Sequence, residues 1–301
     1  MEGEIWKNVY IYGKEYEEIL RKYIADKIAT GQPLGFGDFA PIDMLRPTKN
    51  EVIGEFLLKY SLTESKKILD MGCGLGGTSR YLAGLGHLVT GCDVLPQFIE
   101  LGNQINSLLG LSDQITLQNK GLFDAQVEPE SFDIVITLGV LLILPGQESV
   151  SKLSTYAKPG GYIYVEDYFL EKETELSDDE KSLLIDYHKA PFRKKSEFIE
   201  QFRVAGLEVV EMIDLGKICS EFAWARGERI LKNRKDGKEV LDAEITTYGV
   251  NCPQLLAHLQ NLSPEELVQR YPNVCERIGT HNVYSTDKLL RWVGWVLRKI
   301  T

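Results

Sequence analysis

Lys66 to Ala83 reads KKILDMGCGLGGTSRYLA, and the reading of this stretch decides the fold. A short apolar run, Ile68 and Leu69, ends in Asp70, and the turn Gly72-Cys73-Gly74-Leu75-Gly76-Gly77 follows Met71. Thr78 then opens a segment, Thr78 to Ala83, with helical spacing. The pattern is strand, glycine turn, helix. Glycines at 72, 74 and 76 let the backbone turn where a β-carbon would collide with a ligand lying over it. The helix start behind them presents N–H groups and a partial positive charge, which suit a carboxylate as readily as a phosphate. The spacing is G-x-G-x-G, not G-x-G-x-x-G, which favours a nucleoside cofactor other than NAD.

Downstream, the run Leu88-Val89-Thr90-Gly91-Cys92 ends in Asp93, about 20 residues beyond the first turn, where an acid is placed to grip a ribose diol. Leu95 to Leu109 is amphipathic, Ile115 to Gln118 is a third strand, and Ser131 to Thr137 is a fourth, nearly all apolar as a strand buried on both faces should be. Glu148 to Ala157 reads as a helix, Lys158-Pro159-Gly160-Gly161 as a sharp turn, and Tyr162 to Tyr168 as a fifth strand. Further on, Ser177 to His188 and Ser196 to Ala205 read as helices, Leu207 to Leu215 as a sixth strand and Trp292 to Ile300 as a seventh. Strands alternating with helices predict an α/β fold, a doubly wound and mostly parallel sheet whose ligands sit beyond the carboxyl ends of the strands. Four parts are expected: a helical flank or lid over 1–65, the core over 66–215, a mostly helical insertion over 216–290, and a last core strand over 291–301. The insertion exceeds what a strand connection needs, so it reads as a substrate cap, though dimer formation would explain it too.

The first turn and the acid at 93 together resemble the class I S-adenosylmethionine-dependent methyltransferases, over about residues 40 to 170. The resemblance implies a seven-stranded Rossmann-like sheet and S-adenosyl-L-methionine as cofactor. It implies cofactor contacts from Asp70, Gly72, Gly74, Gly76, Asp93 and Val94, adenine stacking on Leu122 and Phe123, and a place for Thr137 at the end of the fourth strand. Within that family, Glu166-Asp167-Tyr168 and Arg291-Trp292 resemble the phosphoethanolamine and sarcosine/dimethylglycine N-methyltransferases, while Gly76 to Ala83 resembles the tocopherol and sterol C-methyltransferases. Gly139 and Ile143 stand where the phosphoethanolamine enzymes carry an aspartate and a histidine.

Methyl transfer to an amine needs a proton acceptor, for which Asp167, Tyr168 and His188 are candidates, with Glu166 and His281 as others. Tyr10, Tyr16, Phe36, Phe39 and Tyr168 are candidate walls for a methylated ammonium, or simply packing residues of the flank. The stretch Gly35 to Pro41 reads as a loop. Thirty-four basic against forty-four acidic residues give a net charge of -10, a field that repels nucleic acid. Five cysteines without paired spacing and four scattered histidines give no support to a metal site. The first residues carry neither a basic start nor an apolar run, and the longest apolar stretch, Ile134 to Leu144, is too short to span a bilayer, so a cytoplasmic protein is expected. The expected activity is N-methylation of a small polar amine. C- or O-methylation of an apolar acceptor, and a cofactor-binding partner without catalysis, are the competing readings.

Overall fold

The computed structural model describes residues 14–43, 48–170, 193–218 and 290–300, together with Glu175. The strands are β1 (Lys67–Met71), β2 (Leu88–Asp93), β3 (Ile115–Asn119), β4 (Phe132–Leu138), β5 (Ala157–Leu170), β6 (Leu207–Asp214) and β7 (Leu290–Lys299). They form one seven-stranded sheet in the order β3-β2-β1-β4-β5-β7-β6. β1 to β5 are parallel, and β7 runs antiparallel to both neighbours. The carboxyl ends of the parallel strands and the first residues of β7 therefore share one edge.

Alternation along the strands sends apolar side chains to both faces, and each face is covered. The helices are α1 (Lys14–Ala29), α2 (Phe36–Asp43), α3 (Glu51–Lys59), α4 (Gly77–Gly84), α5 (Pro96–Leu108), α6 (Gly146–Tyr156) and α7 (Lys195–Val204). On one face Ile53, Phe56 and Leu82 from α3 and α4 meet Ile68, Ile134, Ile136, Tyr164 and Val296. On the other, Val150, Leu153, Phe198 and Phe202 from α6 and α7 meet Leu69, Val135, Ile163, Val165 and Trp295. Burial of this kind contributes roughly 1.5–3 kcal/mol per large apolar side chain. The flank joins the core through a cluster in which Leu20, Ile24, Phe39 and Ile42 pack on Leu75, Phe98, Leu101 and Ile105.

Two expectations are corrected. Gly35 to Pro41 is not a loop, because α2 begins at Phe36 and continues through Pro41. Asp38 makes that start possible, accepting the Gly35 N–H on its carboxylate at 2.9 Å, and burial of Phe39 and Ile42 holds the turn that Pro41 weakens. Lys158 to Gly161 does not form a turn between elements either, because β5 starts at Ala157 and absorbs these residues. Phe132 pairs with Ala157 but Ile134 with Tyr162, so the extra residues form a bulge, with Gly160 at φ 73°. The helix expected over Ser177 to His188 and most of the expected cap insertion lie outside the described residues.

α5 passes close to the glycine turn. A β-carbon on Gly102 would sit 2.7 Å from the Leu75 carbonyl oxygen and 2.7 Å from Leu117 Cδ1. Helix propensity alone would have alanine here stabilise the fold by about 1 kcal/mol, but the clash with main chain reverses the sign. Gly102→Ala is expected to destabilise by about 1–3 kcal/mol, read from urea denaturation midpoints. A raised midpoint would show that α5 has room to move off the turn.

Candidate active site

The glycine turn is held from below by β2. Gly72 N–H and Cys73 N–H both donate to the Cys92 carbonyl, at 2.8 and 3.1 Å, and Gly74 N–H donates to Asp93 Oδ2 at 2.9 Å. The second Asp93 oxygen accepts the Leu95 N–H at 3.0 Å, and Asn119 Nδ2 donates to the Asp93 carbonyl. Burial raises the Asp93 pKa, while bonds from the Leu95, Gly74 and Val94 N–H groups work against that rise. Asp70 closes β1 fully buried and accepts the Ser79 hydroxyl at 2.7 Å, which joins the strand end to the first turn of α4. Gly72 has φ 81°, and a β-carbon there would overlap Val140 Cγ2. Glycine at 72 is therefore required both for the backbone conformation and for Val140 to close down on the turn.

α2 ends directly on the start of α4. A β-carbon on Gly77 would be 2.6 Å from both Asp43 Cβ and the Asp43 carbonyl. Arg80, 1% exposed, donates its Nε to Asp43 Oδ2 at 3.2 Å, pairs through Nη2 with the other Asp43 oxygen, and donates to Asn106 Oδ1 at 2.9 Å. Burial pushes the Asp43 carboxyl pKa up, and the Arg80 guanidinium opposes this.

Beside the ends of β2 and β3, Val94 and Phe123 are exposed apolar residues. A β-carbon on Gly121 would lie 3.2 Å from Val94 Cγ1, so Val94 faces the turn after β3. Leu122 points the other way. It is buried in the core cluster and its carbonyl accepts the Tyr156 hydroxyl at 2.7 Å, so the expected stacking surface narrows to Phe123 and Val94. Asp124 caps its own turn, accepting the Gly121 N–H at 2.6 Å. Thr137 is also turned into the fold, in register between Met71 and Val165 and 1% exposed, so its side chain does not open on the crevice.

The ends of β4 and β5 form the opposite wall. Tyr168 meets Trp292 edge to face, with ring centroids 4.3 Å apart, and a β-carbon on Gly139 would be 3.3 Å from Trp292 Cη2. Asp167 is fully buried and accepts N–H bonds from Leu142 at 2.9 Å and from its neighbour Tyr168 at 2.8 Å. Arg193 grips the same 3-10 turn, Leu141–Ile143, from its carbonyl side, donating to Leu141 O at 2.5 Å and to Leu144 O. Asp167 thus positions the chain after β4 and is not free to receive a substrate proton. Glu166, equally buried, accepts hydroxyls from Thr48 at 2.5 Å and Tyr164 at 2.9 Å.

The aromatic wall expected from the flank is not assembled by the described residues. Phe39 is spent in the core cluster, and Phe36 lies against Gly84, at the end of α4 remote from the glycine turn. Tyr10, the Tyr16 side chain, His188 and His281 lie outside the described residues. Reading from sequence passed over Thr48 and Arg80, and took Trp292 only as part of a family resemblance. The one signal for Arg80 was a charge on the inward stripe of α4. Among the described residues no group of three or more His, Cys, Asp or Glu could hold a metal ion.

Residues 68–161 match the family model described as a methyltransferase domain. Over that stretch the core is similar to methyltransferase domains. Over 124 residues the chain is 31% identical to a sterol 4-C-methyltransferase of Caenorhabditis elegans, covering 41% of this chain and 36% of that protein. Over 133 residues it is 32% identical to a ubiquinone biosynthesis O-methyltransferase of Glaesserella parasuis, covering 43% of this chain and 55% of that protein. The matches therefore span from about a third to about half of these relatives. A putative sarcosine dimethylglycine methyltransferase from Galdieria sulphuraria superposes with a TM-score of 0.60 at 17% identity, covering 83% of this chain and 84% of that one, a likeness of fold.

Asp167 is pushed far from the ordinary carboxylate range. Burial raises its pKa from 3.8 to about 7, opposed by the Tyr168 and Leu142 N–H bonds and by Arg193. Between those values the folded chain holds a proton that the unfolded chain has lost. The Asp167 contribution to stability therefore falls as pH rises from about 4 to about 7 and levels off above. Subtracting unfolding free energies of Asp167→Asn from wild type between pH 5 and 8 should isolate this falling component. A difference independent of pH would show that the carboxyl titrates alike in both states.

Proposed function

We propose that the protein transfers the methyl group of S-adenosylmethionine to a small-molecule acceptor. The observation that carries this reading is the junction of Gly74 with Asp93, which sets the glycine turn, the buried end of β1 and the start of α4 around one crevice. The residues fit the group. Asp93, partly exposed at the end of β2, is placed for a ribose diol, Val94 and Phe123 offer apolar surface to the base, and the start of α4 favours the amino-acid carboxylate. When bound, the cofactor supplies an electrophilic methyl on a sulfonium. The acceptor would supply the electron pair, a lone pair on nitrogen or oxygen or the π electrons of a carbon nucleophile, that forms the new bond to the methyl, and the pair of the broken carbon–sulfur bond would stay on sulfur. The chain's part is to hold the acceptor in line and to exclude water.

The wall facing the glycine turn supports an acceptor with an apolar body. Val140 closes on Gly72, Tyr168 and Trp292 pack on each other, both buried, at the neighbouring ends of β5 and β7, and the carboxylates there, Glu166 and Asp167, are taken up by internal hydrogen bonds. A second reading, the polar amine that the sequence favours, is supported by the same Tyr168–Trp292 pair, since aromatic rings stabilise a cation by about 0.5–2 kcal/mol. The two readings separate in one assay: labelled methyl from S-adenosylmethionine is offered a deproteinised, lipid-containing extract, which is then partitioned. Label in the organic phase is expected, whereas label in an aqueous cation would select the amine. Asp93→Ala is expected to weaken S-adenosylhomocysteine binding more than about tenfold in calorimetry, on the order of a charge-assisted hydrogen bond pair. Unchanged affinity would remove Asp93 from the ribose site.

A further inference from the structure

We propose that Asp167 is a positioning residue for the cofactor turn: its carboxylate holds the 3-10 turn Leu141–Ile143, and that turn sets Val140 against Gly72. The inference rests on the methyltransferase reading above and adds to it a residue that acts on the cofactor through another side chain.

The chain after β4 has little internal support. Gly139, at φ 70°, turns it out of the strand, and one 3-10 turn follows after Val140. Hydrogen bonds within so short a turn are few and poorly aligned. Here Ile143 N–H donates to the Val140 carbonyl at 3.1 Å, and Leu144 N–H to the Leu141 carbonyl at 3.2 Å. The first bond makes Val140 part of the turn, so what fixes the turn also fixes Val140.

The support comes from the end of β5. Asp167 is in register with Val293, on the face that α6 and α7 cover, and has no exposure. Its Oδ2 accepts the Leu142 N–H at 2.9 Å, the Leu141 N–H adds a bond to the same carboxylate, and Oδ1 accepts the Tyr168 N–H at 2.8 Å. On the carbonyl side, Arg193 donates to Leu141 O and Leu144 O, while its own carbonyl accepts the Leu170 N–H at 2.8 Å. A buried carboxylate is costly to leave short of donors, so the turn stays where β5 places it.

Val140 meets the glycine turn directly. A β-carbon on Gly72 would overlap Val140 Cγ2 and lie 3.4 Å from Val140 Cβ, so the valine fills the place that a side chain at 72 would take. Gly72 N–H donates to the Cys92 carbonyl at 2.8 Å. Gly72 is thus held by β2 through main chain and by Val140 through apolar contact. Without the Asp167 acceptor the 3-10 turn loosens, Val140 no longer confines Gly72, and ordering the glycine turn is charged against cofactor affinity.

The test uses Asp167→Leu, which removes the acceptor at similar size, Asp167→Asn, which restores one oxygen, Val140→Ala, and the pair Asp167→Leu with Val140→Ala. S-adenosylhomocysteine binding is measured by calorimetry, and thermal unfolding is recorded without ligand. Asp167→Leu and Val140→Ala should each bind at least about fivefold more weakly, and Asp167→Asn within about threefold of wild type. On top of Val140→Ala, Asp167→Leu should cost less than about twofold more, because both act through one contact. Asp167→Leu with a lowered unfolding temperature but wild-type affinity would overturn the proposal, as would fully additive losses. Val140→Ala leaves the Asp167 bonds in place, so wild-type affinity in that variant overturns the proposal even where Asp167→Leu does not fold. A wild-type protein that binds no S-adenosylhomocysteine would instead overturn the cofactor reading, and the proposal with it.

Discussion

The bond from Gly74 N–H to the Asp93 carboxylate is the constraint from which the crevice follows. It joins the turn after β1 to the end of β2, and it spends one carboxylate oxygen on main chain so that the glycine turn has one shape. The Cys92 carbonyl adds two more bonds to the same turn. With the turn fixed, α4 leaves it at a fixed angle, and the start of α4 becomes the surface on which α2 ends. Arg80 then has to be buried, and Asp43 and Asn106 are the groups that make its burial tolerable.

Strand direction does the corresponding work on the other wall. Because β7 is antiparallel, its first residues, not its last, reach the edge where β4 and β5 end. Trp292 arrives there from a position near the end of the chain and packs on Tyr168 and over Gly139. Gly139 at φ 70° and Gly294 are both needed for this closeness, one for the chain path and one for the room it leaves to Tyr164.

The legible parts of the sequence were those governed by local rules. The glycine turn, Asp93 at the end of a strand, and the alternation of strand and helix each depend on a few neighbouring residues, and the sheet order follows from them. What local rules favour was overruled where tertiary contacts were stronger. Glycine and proline argue against a helix at Phe36–Asp43, yet Phe39 and Ile42 gain enough burial to hold one. Lys158-Pro159-Gly160-Gly161 carries every mark of a turn, but pairing with β4 draws it into a bulged strand. Leu122 and Phe123 are adjacent and both apolar, and only tertiary packing separates them, burying Leu122 in the core and leaving Phe123 exposed. Glu166 was legible as an acid at a strand end, but its bond to Thr48 was not, since a tie across 118 residues leaves no local pattern.

Glu166 and Asp167 show why acids at a strand end are weak indicators of a base. They are neighbours on β5, so their side chains leave opposite faces of the sheet. One takes hold of the N-terminal segment, the other of the turn after β4, and each is buried by what it holds. For the proposed chemistry this is no loss. A sulfonium methyl is electrophilic without assistance, so the demand on the chain is geometric: acceptor and methyl in line, water excluded. Two buried carboxylates that fix the two walls answer that demand more directly than an exposed acid would. An acceptor that must lose a proton, before attack or after the new bond has formed, needs a group other than Glu166 and Asp167 to take it, because both are engaged in holding the chain.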